Sequence, residues 1–238
     1  MANHVKKLLV GKPRTESAPR RSVIAQRWEN IRGIWNNDHD EDAGIEKVVR
    51  LLLAASQFLF PGMYIKHLFW RKGPVYQELA VEFFVMAKTV FPVAVLYFGW
   101  QELPWVFALV VWLMMETILY IPTLIFASDA FSSPRSYRRS QIMIFFNYLE
   151  VVFSFGVIHA AGRYLNEAFV HWADPIYFSF MATSTIGFGD LFPVTPTGKM
   201  VVGLQSLFYL SYLVLFINFF SIGHQRGYFA GKSARGPE

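Results

Sequence analysis

Two long apolar runs of the chain flank the stretch Thr183-Ser184-Thr185-Ile186-Gly187-Phe188-Gly189-Asp190. Non-helical backbone at membrane depth is tolerated only where it is buried in protein or lines a water-filled cavity. Gly187 and Gly189 adopt positive φ at low cost, which allows successive carbonyl oxygens to point to the same side. The stretch therefore predicts a non-helical segment that lines a water-filled cavity in a membrane protein.

The last six residues of this stretch, Thr-Ile-Gly-Phe-Gly-Asp, resemble the selectivity filter of potassium channels. In that family, backbone carbonyl oxygens replace the hydration shell of the ion. The resemblance implies a filter formed by Thr185, Ile186, Gly187, Phe188 and Gly189. It also implies that K+, as the permeant ion, binds to the carbonyls of the first four residues and to the Thr185 hydroxyl, without any cofactor.

The resemblance continues on both sides of the filter, over roughly residues 145–221. Upstream, Asp174-Pro175 is typical of a helix start, because proline fits the first turn, and residues 176–182 are mostly apolar. This segment resembles a pore helix, whose C-terminus presents the negative end of its dipole to a cation. Downstream, residues 192–195, Phe-Pro-Val-Thr, resemble the segment that leads into the inner helix.

Four residues around the filter are assigned to its support by the resemblance: Asp190, Tyr177, Phe178 and Ser184. Tyr177 and Phe178 occupy places that relatives usually fill with two tryptophans, and Ser184 replaces a frequent threonine. Phe188 lacks the hydroxyl of the commoner tyrosine, which in relatives ties the filter to the pore-helix aromatics. We predict that the Tyr177 hydroxyl bonds to Asp190 and replaces that contact.

Two other functions fit part of this pattern. A weakly selective cation channel uses the same architecture with a less stable filter. Intramembrane aspartyl proteases share the Gly-x-Gly-Asp motif, but they need a second aspartate at membrane depth. The other five aspartates lie in the polar N-terminal region, beside a loop and before the pore helix. We therefore expect a channel without enzymatic activity.

Composition favours a membrane protein. Hydrophobic residues make up 54% and charged residues only 16% of the sequence, against about 25% charged in soluble domains. The absence of cysteine excludes disulfides and thiolate metal sites. Residues 1–28 are strongly basic, so we expect a flexible cytoplasmic arm that contacts anionic lipid headgroups. No nucleic-acid partner is expected, and we expect the protein to be located in the plasma membrane.

Four segments are long enough to span the bilayer. The connector 131–140 holds three arginines and the connector 101–104 holds no basic residue, so both termini are predicted to be cytoplasmic. One pore loop supplies one wall of a pore, which implies a homotetramer. The fold class is thus an all-α membrane protein with a re-entrant pore helix and filter between its third and fourth spans. The spans are 79–100, 105–127, 141–161 and 200–223.

These features divide the chain into five parts. They are a cytoplasmic N-terminal region 1–46, an interfacial amphipathic helix 47–72, a two-span module 73–140, a pore module 141–224 and a cytoplasmic tail 225–238. The acidic stretch that begins at Asp38 departs from an EF-hand loop, because its glycine comes one place late and Val49 replaces the final glutamate. No span has more than one basic residue in its interior, so a voltage-sensing arginine ladder is absent from the sequence pattern.

Three charged residues lie inside the predicted spans: Lys88, Glu116 and Glu150. At 1.5 Å per residue, the depths of these three residues, counted from the cytoplasmic ends of their spans, agree within about 3 Å. An isolated charge at that depth costs at least roughly 2.5 kcal/mol, and pairing reduces the cost. We predict that Lys88 contacts Glu116, Glu150 or both.

Overall fold

A computed structural model describes residues 22–37, 43–126, 137–184 and 186–224. The basic arm before residue 22, the acidic turn 38–42, the connector 127–136, Thr185 and the tail 225–238 lie outside the described residues. Within the described ranges the regular structure is helical, with one isolated bridge between Leu165 and Pro193. The α-helices are α1 Val23–Asn36, α2 Gly44–Ser56, α3 Pro61–Leu68, α4 Pro74–Tyr97, α5 Pro104–Phe126, α6 Tyr137–Gly162, α7 Asp174–Thr183 and α8 Pro196–His224.

Two of these helices are long and apolar enough to cross a membrane by themselves. They are α4 and the part of α6 from Arg139 to Gly162. The pair α2–α3, which is bent by 64°, makes a third if it is one broken span. The apolar part of α5 found by the same criteria, Pro104–Tyr120, is shorter. The described residues therefore confirm an all-helical protein with two or three membrane-compatible helices.

The N-terminal region is more ordered than the sequence predicted. A flexible arm was expected through Trp28, but α1 begins at Val23, where the Ser22 hydroxyl caps the helix by accepting from the Ala25 N–H at 3.2 Å. Ile34 is buried, and α1 packs against α2 and α3. Residues 23–36 thus belong to the folded body.

The segment 47–72, predicted as one interfacial helix, is divided in the structure. The chain forms two helices that meet at Phe60, whose backbone is extended (φ −116°, ψ 151°) because the following Pro61 disfavours helical geometry there. Helix α2 packs against α5, and α3 packs against α4. The Gly62 N–H in the first turn of α3 donates to Glu116 Oε1 at 2.9 Å. Since Glu116 lies midway along α5, this bent pair is attached to the two-span module.

Helix α6 is the centre of the described structure, since it packs against α4, α5, α7 and α8. Gly156 allows α7 to approach closely, because a Cβ there would lie 3.1 Å from the Pro175 carbonyl oxygen. Two apolar clusters surround α6, one shared with α5 and α8 and the other with α4 and α5. The first contains Met114, Ile144, Val151, Phe155, Phe208 and Tyr212, and the second contains Val95, Leu96, Val106, Val110 and Val157.

The arginine-rich connector is shorter than the sequence predicted. A loop was expected through Ser140, but α6 begins at Tyr137. The Arg139 side chain donates to the carboxylates of Glu78 and Glu82. These two glutamates lie one turn apart on α4, so the guanidinium fastens the first turn of α6 to α4.

Candidate functional site

The short helix α7 and the non-helical segment 186–190 that follows it form the centre of the site. This segment is called the filter strand below, although it forms no β-sheet in the described structure. Helix α7 begins at Asp174, whose carboxylate accepts from the N–H groups of Val170 and His171 at 2.9 and 2.7 Å. It ends at Thr183, and residues 186–190 continue in non-helical conformation. Gly187 and Gly189 have φ values of 51° and 81°. Both glycines therefore have the left-handed backbone that the sequence predicted.

The described filter residues lie on the surface of the single chain. Ile186 and Phe188 are 58% and 70% exposed. A Cβ built on Gly187 or Gly189 meets nothing within 4 Å. Both apolar side chains are therefore more than half exposed in the single chain.

The outer end of the strand is held by Tyr177 and Asp190. The Tyr177 hydroxyl donates to Asp190 Oδ2 at 3.0 Å, so the predicted contact is present. Phe178 is buried and meets the His159 ring edge-on, with centroids 4.8 Å apart. The Ser184 hydroxyl lies 3.5 Å from the Met181 carbonyl oxygen, inside the same turn.

A second clamp on the strand comes from Asn166, which sequence reasoning missed. Its side-chain amide donates to the Asp190 carbonyl at 3.0 Å and accepts from the Phe192 N–H at 2.7 Å. Its own N–H donates to the Phe192 carbonyl, and the Val194 N–H donates to the Tyr164 carbonyl, both at 3.0 Å. The loop after α6 thereby fixes the segment that leaves the filter stretch.

A buried polar network behind α7 was also missed. Its residues are His159 of α6, Ser179 and Thr183 of α7 and Gln205 of α8, each at most 1% exposed. His159 Nε2 lies 2.9 Å from Gln205 Oε1, and Gln205 Nε2 lies 2.6 Å from Thr183 Oγ1. A signal was available, because polar side chains inside apolar spans are functional candidates by default.

The three predicted intramembrane charges form one cluster. Lys88 Nζ lies 3.8 Å from Glu116 Oε2 and 3.7 Å from Glu150 Oε2. It also donates to the Thr117 hydroxyl at 2.5 Å. Lys88 therefore contacts both glutamates, and Thr117 is the partner that the sequence did not indicate. Among the residues that the structure describes, no cluster of three or more His, Asp or Glu side chains is arranged to hold a metal ion.

Comparison with known proteins agrees with this geometry. Residues 144–223 match the family model described as "Ion channel". The match covers about a third of the chain, from the second turn of α6 through α7 and the filter stretch to the end of α8. No curated protein and no solved structure matches the chain. Residues 144–223 thus resemble a pore-loop ion-channel module, and the chain has the apolar helices of a membrane protein with an ion-transport role.

Proposed function

We propose that the protein is a potassium-selective channel that conducts K+ passively through the central pore of a homotetramer. The observation that carries the proposal is the strand 186–190, which leaves the C-terminus of α7 with positive φ at Gly187 and Gly189. It lies inside the region that matches the ion-channel family model. Alternating left-handed residues turn successive carbonyl oxygens toward one side, as K+ coordination requires.

Two exposed surfaces support assembly. The filter residues Ile186 and Phe188 are exposed in the single chain, and so is an apolar stripe along α8. Inside a membrane, apolar surface of this kind faces either lipid or another subunit. Four copies around an axis bring four filter strands together and cover part of this surface. Among the described side chains of α8, the exposed large apolar ones are Met200, Leu204, Leu207, Leu210, Leu213 and Val214.

The proposed topology has four spans, α4, α5, α6 and α8, in the plasma membrane. Helices α5 and α8 have 23 and 29 residues, or about 34 and 43 Å at 1.5 Å per residue. Either length crosses a hydrocarbon core of about 30 Å. Arg139 at the start of α6 lies on the cytoplasmic side by the positive-inside rule, which leaves both termini cytoplasmic. The basic N-terminal region then faces anionic headgroups.

The negative end of the α7 dipole supports cation binding at the inner end of the filter. Helix α7 ends at Thr183, two residues before the filter begins. The carbonyl end of the helix carries a partial negative charge that stabilises a nearby cation. The proposed role needs K+ alone and no cofactor or catalytic group.

A weakly selective cation channel is the second candidate. Phe188 has no hydroxyl and is 70% exposed, so the Tyr177–Asp190 contact must stabilise the filter in place of a filter tyrosine. A filter that widens accepts hydrated or differently sized ions.

The reversal potential of purified protein in liposomes under opposed potassium and sodium gradients separates the candidates. A reversal potential that follows potassium supports the proposal, and one midway between the two ions supports the weakly selective channel. No current from intact tetramers contradicts both.

The variant Gly187→Ala tests whether the potassium preference of the current depends on the filter. Alanine at φ 51° is strained by about 1–3 kcal/mol and turns carbonyls away, so conduction or selectivity is lost while tetramers persist. The matched control is Gly203→Ala, since a Cβ there also meets nothing within 4 Å but no positive φ is required. Unchanged potassium preference in Gly187→Ala contradicts the filter assignment.

A further inference from the structure

Three helices of the ion-channel module meet at the polar network His159–Gln205–Ser179–Thr183. Gln205 Nε2 lies 2.9 Å from both the Ser179 carbonyl oxygen and Oγ, and 2.6 Å from Thr183 Oγ1. The Thr183 hydroxyl donates to the Ser179 carbonyl at 2.6 Å. The Ser179 hydroxyl donates to the Val152 carbonyl of α6 at 2.5 Å. The side chains of Gln205, Thr183 and Ser179 and the carbonyl group of Val152 are therefore linked in one buried chain of hydrogen bonds.

The direction of each hydrogen bond in this network follows from its acceptors. The Ser179 carbonyl only accepts, so the nitrogen of the Gln205 amide must face α7. Its oxygen then faces His159, whose Nε2 must carry the hydrogen. Thr183 and Ser179 use their own hydrogens on carbonyl groups, so their hydroxyl oxygens are available to accept from Gln205. The two hydrogens of the Gln205 amide nitrogen are therefore shared among three acceptors on α7.

The position of Thr183 connects this network to the filter stretch. Thr183 is the last residue of α7, and the filter begins two residues later. Gln205 is the side chain of α8 that donates to this last turn. Gln205 therefore joins α8 to the end of α7 from which the filter stretch continues.

We propose that Gln205 is a positioning residue for the filter, which holds the last turn of α7 from α8, and that His159 fixes the orientation of the Gln205 amide. This inference rests on the proposed channel function and assigns the regulation of the same site. If position 205 served only to pack α8 against α7, an apolar side chain would suffice there. Apolar residues fill a buried space at lower cost, because every buried polar group must find a partner.

The test compares Gln205→Met, His159→Phe and the double variant with the wild type, all as purified tetramers in liposomes. Gln205→Met leaves the His159 Nε2–H without a partner, and His159→Phe leaves the Gln205 amide oxygen without one. The double change removes both members of this pair, so that neither is left buried and unpaired. The Ser179 and Thr183 hydroxyl groups keep the hydrogen bonds that they donate in all three variants. We expect both single variants to have a lower Tm and the double variant to recover it.

The currents are expected to follow a different order. In Gln205→Met and in the double variant, α7 has lost its donor from α8. Their currents should decline at least about fivefold faster during sustained opening than those of the wild type, the factor that one neutral hydrogen bond represents. His159→Phe keeps the donor but loses its fixed orientation, so we expect an intermediate rate.

The control variant is Ser206→Ala, whose hydroxyl donates to Val202 within α8 itself. It should match the wild type in both Tm and current. If Gln205→Met does not assemble, the double variant carries the test. Recovery of both Tm and the wild-type rate of decline in the double variant overturns the positioning role, because the network then acts only in stability. The wild-type reversal potential, measured in the same preparation, shows separately whether the potassium-channel proposal itself fails.

Discussion

Lys88→Met removes the cation from a buried cluster that contains two carboxylates. Its Nζ lies 3.7 Å from Glu150 and 3.8 Å from Glu116, and the lysine side chain is 4% exposed. Breaking a buried ion pair by removing one partner costs about 3–5 kcal/mol, since the remaining charge stays buried without compensation. We expect this loss in each subunit, with a lower yield of intact oligomer and a lower Tm.

The structure predicts which second change restores stability. Glu116 keeps the hydrogen bond from the Gly62 N–H at 2.9 Å, and its side chain is 16% exposed. Glu150 is fully buried. Lys88→Met with Glu150→Gln should therefore recover more of the Tm than Lys88→Met with Glu116→Gln.

The assay is thermal unfolding of detergent-purified protein followed by size-exclusion chromatography, with Lys72→Met as the matched control. Lys72 is exposed on a turn between α3 and α4, so its replacement should leave the Tm unchanged. Equal recovery by the two double variants, or greater recovery through Glu116→Gln, refutes the assignment of Glu150 as the less compensated carboxylate. A Tm for Lys88→Met equal to that of the control refutes the cluster.

Three further changes test the filter clamps and the bent pair α2–α3. Tyr177→Phe removes the 3.0 Å hydrogen bond to Asp190, so current should decline faster during sustained opening, and unchanged kinetics count against the clamp. Asn166→Asp replaces the donor to the Asp190 carbonyl with an acceptor, and current recordings should show a faster decline with no loss of oligomer on size-exclusion chromatography; wild-type rates show that this bond has no role. Gly62→Ala places a Cβ 2.4 Å from Glu116 Oε1, so the carboxylate must move away from the Gly62 N–H that donates to it; we expect a lower Tm from the loss of about 1.5–3 kcal/mol, typical of a hydrogen bond to a charged group, and an unchanged Tm shows that this bond does not stabilise the bent pair.

The sequence was most informative where one residue type determines the local backbone. Asp174-Pro175 predicted the start of α7 because proline fits the first turn of a helix. Gly187 and Gly189 predicted positive φ because other residues are strained there. The depth of Lys88 predicted its contacts because an unpaired charge inside a span is too costly.

The remainder depends on which faces of different helices meet, and helical periodicity does not contain that information. The bend at Phe60 was missed because Pro61-Gly62 in an apolar run also fits a single curved helix, and the contact with Glu116 comes from residues 54 positions away. His159 and Gln205 are 46 positions apart, and nothing in their local sequences pairs them. Asn166 lies in a loop, where polar residues are common, so its residue type does not indicate a specific contact.

The charge cluster also has a consequence for biosynthesis. Lys88 and Glu116 lie on consecutive helices and are 28 positions apart in sequence, so at 5–20 residues per second the ribosome adds Glu116 about 1–6 s after Lys88. Until then α4 carries an uncompensated charge, which costs roughly 2.5–3.5 kcal/mol at the centre of a span. Helices α4 and α5 should therefore move together from the insertion machinery into the lipid bilayer. Glu150 arrives later on α6, so the N-terminal module enters the membrane with its lysine already engaged and ready to receive the pore module.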